Sequence, residues 1–273
     1  MKDLIQSFIA DRKMLIDKCL VWKEVRIEEN KGMPVLNLPT PQLVAGFMGY
    51  LKYKFINDNR RVLCRGEGSF HRTTIPKLFR EQPITQDEIN KRISILEKVI
   101  SCIPSWYRAN RFEREDVGPL LQHYGIRTNW LDLVDNIFTA IWFASYNNQN
   151  EWGYIKFFTD KNQNREELDV YDLRERHSSL SLRLHCQHGL SATRKNSAWT
   201  PENIDLSDFI IAIVRIPVKA INTINGIINK QYMFPDEITD NTLKYLKKDK
   251  FAKKVGKILA SEGYNEDFLG FIE

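Results

Sequence analysis

The sequence predicts an α+β fold, with N-terminal helices followed by a largely antiparallel sheet and its packed helices. Two observations carry that expectation. A helical apolar period dominates the first half, most cleanly where Ile89, Ile93, Leu96, Ile100 and Ile103 follow Thr85. After Asn150 the pattern changes to short β-branched and aromatic runs over 153–159, 168–173 and 209–217. The 273 residues, 42% hydrophobic and 27% charged, hold ample material for a core.

Taken in order, Leu4, Ile5, Phe8, Leu15, Cys19 and Trp22 share one helical face, so a first long helix is expected to end before the polar stretch Glu28-Glu29-Asn30-Lys31-Gly32. A loop with three prolines follows. Thr40-Pro41 then reads as an N-cap with proline at the first helical position, and Leu43, Val44, Phe47, Met48 and Leu51 supply the stripe of a second helix to about Ile56. Arg61-Val62-Leu63-Cys64-Arg65-Gly66 is a short apolar run closed by glycine, which predicts a buried strand emptying into a loop. Thr85-Gln86-Asp87-Glu88 has capping-box spacing.

Further on, Gly118-Pro119 to Tyr124 suggests a short helix stopped by Gly125, and Asp135 can cap an apolar helix over 136–146. A polar, His- and Ser-rich segment over 174–201 separates the later strands. Near the carboxyl end, Lys244, Lys247, Lys248, Lys250, Lys253, Lys254 and Lys257 interleave with Leu243, Leu246, Phe251, Val255, Ile258 and Leu259 as one basic amphipathic helix. These elements divide the chain into a helical portion over 1–58, a central domain over 59–240 and a basic helical extension over 241–273.

Composition excludes several classes. Cys19, Cys64, Cys102 and Cys186 lie far apart with no paired spacing, which fits reduced thiols in a cytoplasmic protein and no disulfide framework. The amino-terminal residues set Asp3, Asp11, Arg12 and Lys13 among apolar ones, so neither a signal peptide nor a membrane span is expected there. A net charge of +5 tilts toward anionic ligands.

Three clusters offer chemistry. In Gln122-His123-Tyr124-Gly125-Ile126-Arg127-Thr128-Asn129-Trp130-Leu131-Asp132, donors, acceptors and a titratable ring crowd into one stretch, with Gly125 permitting a sharp reversal. The segment either lines a pocket or satisfies buried backbone at a helix end. Arg65-Gly66-Glu67-Gly68-Ser69 could bring backbone N–H groups to a phosphate with Arg65 as cation, or Arg65 could pair with a core carboxylate such as Asp132. Arg183-Leu184-His185-Cys186-Gln187-His188-Gly189 has no standard zinc spacing, and Gln187-His188-Gly189 reads as a second polar wall. No metal is expected, and no carboxylate cluster suited to Mg²⁺ stands out.

In order, these clusters resemble the FRG domain, a bacterial and phage family named for a Phe-Arg-Gly signature. Cys64-Arg65-Gly66 stands at that signature, and Thr74-Ile75-Pro76-Lys77-Leu78-Phe79-Arg80 resembles the stretch after it. The longest motif is matched by Leu121-Gln122-His123-Tyr124-Gly125 with Thr128, Leu131-Asp132 and Ala140-Ile141-Trp142-Phe143-Ala144, and later elements by Gln187-His188-Gly189-Leu190 and Met233-Phe234-Pro235-Asp236. The resemblance spans about 62–236. Departures are Cys64 for Phe, Glu67 for Gln, Arg127-Thr128-Asn129 for Pro-Thr-Arg and Leu133 for Trp.

FRG domains are associated with defence or toxin contexts, including phage defence, and their strand-end Arg-Gly resembles the first-strand arginine of ADP-ribosyltransferase folds. The resemblance implies nucleotide recognition, with NAD as a substrate of a transferase or glycohydrolase. Arg65, His123 and Glu67 are the implied catalytic residues, and Arg65, Gly66, Gln122, Tyr124, Thr128, Asp132, Arg183 and Gln187 the implied nucleotide contacts. The alternative is a non-catalytic nucleotide- or nucleic-acid-binding module. Neither reading involves a membrane, and neither identifies a protein partner.

Overall fold

The computed structural model describes residues 1–12, 24–81, 83–103, 113–176, 179–195, 198–221, 228–265, 268 and 270. Its strands are β1 (Arg26–Asn30), β2 (Met33–Asn37), β3 (Val62–Glu67), β4 (Leu131–Val134), β5 (Trp152–Thr159), β6 (Leu168–Asp172), β7 (Gly189–Arg194) and β8 (Ile210–Pro217). Its longer helices are α1 (Lys2–Ala10), α2 (Pro41–Phe55), α3 (Gln86–Ser101), α4 (Arg114–His123), α5 (Ile137–Ser145), α6 (Leu182–Cys186), α7 (Asn241–Leu246) and α8 (Asp249–Ser261). Single helical turns occur at Leu173–Arg176, Val218–Ile221 and Lys230–Met233. The fold is α+β. The chain forms two compact units interleaved in sequence, the first from Met1–Thr74, Val134–Glu167 and Ser207–Asn229, the second from Ile75–Leu133, Leu168–Leu206 and Lys230–Glu273.

In the first unit five strands run in the order β1-β2-β8-β5-β3. All neighbours are antiparallel except β2 and β8, where Leu36 pairs with Val214 in parallel register. Side chains alternate across this sheet, as a period of two requires. Val62, Cys64, Ile155, Phe157, Ala212, Val214 and Ile216 enter one core with Ile5 and Phe8 of α1, Val44, Phe47 and Leu51 of α2, and Ala140, Ile141 and Ala144 of α5. Phe47 meets Phe8 and Phe157 edge-on, at centroid distances of 4.7 and 5.4 Å. α2 begins as its sequence predicts: Thr40 Oγ1 accepts from the Leu43 N–H, with Pro41 at the first position.

Gly66 sits where α5 crosses β3. A Cβ on Gly66 would lie 1.8 Å from the Ala140 carbonyl oxygen. Helix and strand therefore approach more closely than any side chain permits, and that accounts for the glycine.

Several expectations are corrected here. The polar stretch and the proline loop are a hairpin, β1–β2, closed by Lys31 (φ 49°) and Gly32 (φ 77°). Two successive positive φ values give the turn whose twist matches its strands. The expected long first helix is described only as Lys2–Ala10, and Leu15, Cys19 and Trp22 lie outside the described residues. Asn136, not Asp135, caps α5, its Oδ1 accepting from the Phe138 and Thr139 N–H groups.

In the second unit the strand order is β4-β7-β6, with β6 and β7 antiparallel from Leu168–Arg194 to Asp172–Leu190. β7 and α6 both arise from the His- and Ser-rich segment read as a separator, and β7 is buried along its whole length. α4 starts at Arg114, ahead of Gly118, and carries Pro119 within it. The lysine-rich end forms two helices, α7 and α8, with Leu243, Leu246, Phe251, Val255 and Leu259 buried and all seven lysines exposed.

The capping box at Thr85 is only half formed. Thr85 Oγ1 accepts from the Glu88 N–H, but the Glu88 carboxylate turns to Tyr264 (2.6 Å) and Arg92 (2.7 Å). Arg92, buried, also donates to the Leu78 carbonyl at 2.8 Å. The Tyr264 hydrogen bond, with help from Arg92, holds Glu88 below its ordinary value of 4.5. Burial, then the same carboxylate, pushes the Tyr264 phenol up to about 12.

Two predictions follow from these packing relations. Gly66→Ala should cost about 3 kcal/mol through overpacking, whereas Gly49→Ala, in α2 with nothing within 4 Å of its Cβ, should gain about 0.5–1 kcal/mol; urea unfolding of both variants measures the contrast. A carboxylate with a depressed folded pKa stabilises above its unfolded pKa, and that stability is lost as pH falls through the folded value. Glu88→Gln should therefore flatten the acid limb of the melting temperature against pH, below the ordinary value of 4.5.

Candidate functional site

The residues singled out from the sequence fall into two groups, one in each unit. In the first unit Arg65 and Glu67 project from the same face of β3, and the Arg65 Nε donates to Glu67 Oε1 at 3.1 Å. Lys156 of β5 pairs in register with Arg65 and is fully buried. Its ammonium lies 3.1 Å from Glu67 Oε2 and donates to the Thr73 carbonyl (3.1 Å) and Thr74 Oγ1 (2.9 Å). A buried ammonium needs a carboxylate and further acceptors, and Lys156 has both. Sequence reasoning missed Lys156, although a lone lysine inside Tyr154-Ile155-Lys156-Phe157-Phe158 is a readable signal. Glu67 thus answers two cations. One carboxylate beside Arg65 therefore stands two residues along its own strand.

In the second unit the segment over 122–132 folds around the Gln122 amide. Gln122 Oε1 accepts from the Thr128 N–H (3.2 Å) and Oγ1 (2.8 Å), and Nε2 donates to Asp132 Oδ2 at 3.1 Å. Thr128 Oγ1 in turn accepts from the Trp130 N–H at 3.1 Å. Gly125, at φ 91°, makes the reversal that its sequence position predicts. One amide therefore ties the end of α4 to the strand carrying Asp132.

His123 stands beside it. Gln187 Nε2 donates to the Met233 carbonyl at 2.8 Å, so its Oε1 faces His123 Nδ1 at 3.3 Å and assigns the proton there. His123 Nε2 then lies 3.3 Å from Asp132 Oδ1, at ion-pair distance but out of hydrogen-bond alignment. The imidazole rests on Gly189, where a Cβ would come within 2.8 Å of His123 Cε1. Gln122, His123 and Gln187 are all buried, while the Asp132 side chain keeps 33% of its surface. Asp132 is the opening of the group.

Tyr124 and Arg183 have other work. Tyr124 is fully buried, and its hydroxyl donates to Asp240 at 2.7 Å. Asp240, also fully buried, further accepts from the Arg183 N–H (2.9 Å) and caps α7 through the Leu243 N–H (2.9 Å). The Arg183 guanidinium lies 5.0 Å from the Tyr124 ring centroid and 5.3 Å from that of Phe234, and donates to the His123 carbonyl at 3.3 Å. Burial draws its pKa below the ordinary value, with the charge of Asp240 acting against that. Asp240 was not foreseen. Its sequence position marks a helix N-cap, and nothing nearby marks its reach to Tyr124. Cys186, beside this group, has its thiol pushed up by burial, which opposes a thiolate nucleophile.

Tyr124→Phe should lower stability by about 1–3 kcal/mol by leaving Asp240 short of a donor. Asp240→Ala should cost more, because three donors lose their acceptor, and chemical denaturation of the single and double variants should give less than the sum. Gly189→Ala should move the His123 ring, read as shifted imidazole ¹⁵N resonances.

A family model describes residues 60–152 as an FRG domain. That stretch contains Arg65-Gly66 and the whole Gln122–Asp132 group, and ends before Gln187 and Met233. No curated protein and no solved structure matches the chain. Over residues 60–152, the stretch that holds Arg65-Gly66 and the Gln122-His123-Tyr124-Gly125 turn, the chain matches the FRG domain.

Proposed function

We propose that this FRG-domain protein recognises a nucleotide through the Gln122–His123–Asp132–Gln187 group, and that NAD is its substrate in N-glycosidic cleavage. The observation that supports this reading is the placing of Asp132: a carboxylate held by the Gln122 amide, one oxygen at 3.3 Å from an imidazole nitrogen, with a third of its side chain open. A carboxylate so held accepts hydroxyls of a ribose and stabilises positive charge developing at its anomeric carbon. In that step the bond between the ribose and the nicotinamide nitrogen breaks, and its electron pair leaves with nicotinamide. Water or an acceptor nucleophile then bonds to the anomeric carbon and gives its proton to the open Asp132 carboxylate, beside which the His123 ring is packed. Gln187 acts on the ring by holding the proton on Nδ1. Glu67, named among the implied catalytic residues, keeps 12% of its side-chain surface against 33% for Asp132, and the more open Asp132 supplies the acid in this reading. Arg65 belongs with Glu67 and Lys156 in the first unit, and the proposal rests on the second.

A second reading has its own observation. Lys244, Lys247, Lys248, Lys250, Lys253, Lys254 and Lys257 are all exposed on α7, α8 and the turn between them, a basic surface suited to nucleic acid.

Mass-spectrometric detection of nicotinamide released from NAD tests the first reading. Release is expected, falling about a hundredfold or more in Asp132→Asn and in His123→Ala. Charge reversal at Lys247, Lys248 and Lys254 should leave it nearly intact, since exposed lysines act weakly through screened solvent. No release and no NAD binding, together with DNA or RNA binding that falls steeply with salt and vanishes in the triple reversal, would replace it with the second.

A further inference from the structure

The last helix of the second unit, α8, has two unlike faces. Phe251, Val255 and Leu259 recur every fourth residue and are buried, which seats the helix on α3 and α7. Lys250, Lys253, Lys254 and Lys257 recur at i, i+3, i+4 and i+7, and all four are exposed. With 3.6 residues per turn, these lysines fall within a sector about 100° wide, turned away from the three apolar residues. They form one stripe along the outer side of the helix.

The charge of that stripe is little answered by the protein itself. The helix has a single acid, Asp249, at its first position. Lys250, Lys254 and Lys257 make no ion pair among the described residues. The other exposed residues of the helix after Lys250 are Ala252, Ala260 and Ser261. Neither arginine nor an aromatic ring stands among them, so the face offers nothing on which a base would stack. Tyr245 and Tyr264, on either side of the helix, turn instead to Phe251 and Phe268, at centroid distances of 6.0 and 4.0 Å.

Spacing decides which polyanion fits. From Lys250 to Lys257 the helix rises about 10 Å. Over that length a nucleic-acid duplex carries about six phosphates and one strand about three. Four lysines exceed what one strand supplies there, whereas a duplex satisfies them all. Lysine meets phosphate as a compact point charge and carries no planar fork to read base edges.

We infer that α8 holds double-stranded nucleic acid by its phosphate backbone, each of the four lysines meeting a phosphate and none reading a base. The inference rests on the nucleic-acid reading above and names the form of the partner and the contact it makes.

Fluorescence anisotropy of the full chain with a labelled mixed-sequence DNA duplex, with either of its single strands, and over a range of salt concentrations tests it. Four phosphates predict a slope of log K against log salt of about −3.6, which is about a hundredfold loss of affinity for each fourfold rise in salt. The single strand should bind about tenfold more weakly, and duplexes of different sequence equally well. Lys254→Gln and Lys257→Gln should each make the slope shallower by about 0.9 with the melting temperature unchanged. Replacing all four lysines by glutamine should abolish binding, and the two single variants carry the test should that protein not fold. Equal binding of the single strand, preference among duplex sequences, or an unchanged slope in both single variants would overturn the inference and leave the nucleic-acid reading standing. Binding to neither form, alone or with retention on phosphatidylserine vesicles, would overturn both.

Discussion

The second unit depends on one buried carboxylate. Asp240 accepts hydrogen bonds from the Tyr124 hydroxyl, the Arg183 backbone and the Leu243 backbone, so a single side chain fixes the end of α4, the start of α6 and the start of α7. His123 immediately precedes Tyr124, and Gln187 follows the last residue of α6. Their 3.3 Å contact is thus set by elements that Asp240 holds. An acceptor serving three donors in a dry interior is strongly directional, whereas apolar packing alone tolerates sliding of helices by fractions of a turn. The polar group keeps its geometry because its supports are also polar and fully buried.

In the first unit the constraint is the difference between the faces of β3 and β5. Cys64, Gly66, Ile155 and Phe157 point into the helices, and Arg65, Glu67 and Lys156 point the other way. The Arg-Gly pair divides its labour accordingly. Gly66 is required by helix packing, since the Ala140 carbonyl occupies the place of a side chain. Arg65 is required by the charge balance of its own face, in which Glu67 lies between two cations. Removing Glu67 would take a carboxylate from a fully buried ammonium, a costlier defect than the loss of an exposed pair.

Much of this architecture was legible, and the failures have physical causes. Helices with caps and a clean period, α2 and α3, were read nearly to their ends, because local chemistry and burial agree there. β3, β5 and β8 were equally plain as apolar runs. The β1–β2 hairpin was not: Arg-Ile-Glu-Glu-Asn offers little apolar alternation on an edge strand, and Pro34 inside β2 argues against a strand. β7 was hidden because Gly-Leu-Ser-Ala-Thr-Arg buries its polar side chains as well as its apolar ones, giving no alternation to detect. Of the candidate site, the Gln-His-Tyr-Gly turn could be read from density of function alone. Its partner Asp240 could not, since it acts across more than a hundred residues of sequence on a group that its neighbours do not reveal; Lys156, in the other unit, was signalled only as a lone charge in an apolar run, without its partners.

The same comparison sorts the residues of the longest motif by what each is free to do. Gln122 spends both ends of its amide on Thr128 and Asp132, and Tyr124 gives its hydroxyl to Asp240. Gln187 spends its amide nitrogen on Met233 and presents its oxygen to His123. Every one of these side chains is buried, and each orients another. Asp132 differs from them in exposure: Gln122 Nε2 donates to one of its oxygens, and its side chain keeps a third of its surface. A carboxylate can meet positive charge developing on a substrate only where that substrate can reach it. For the proposed chemistry the exposed acid is therefore the member of this group that meets the substrate, while the buried amides and phenol around it set its position.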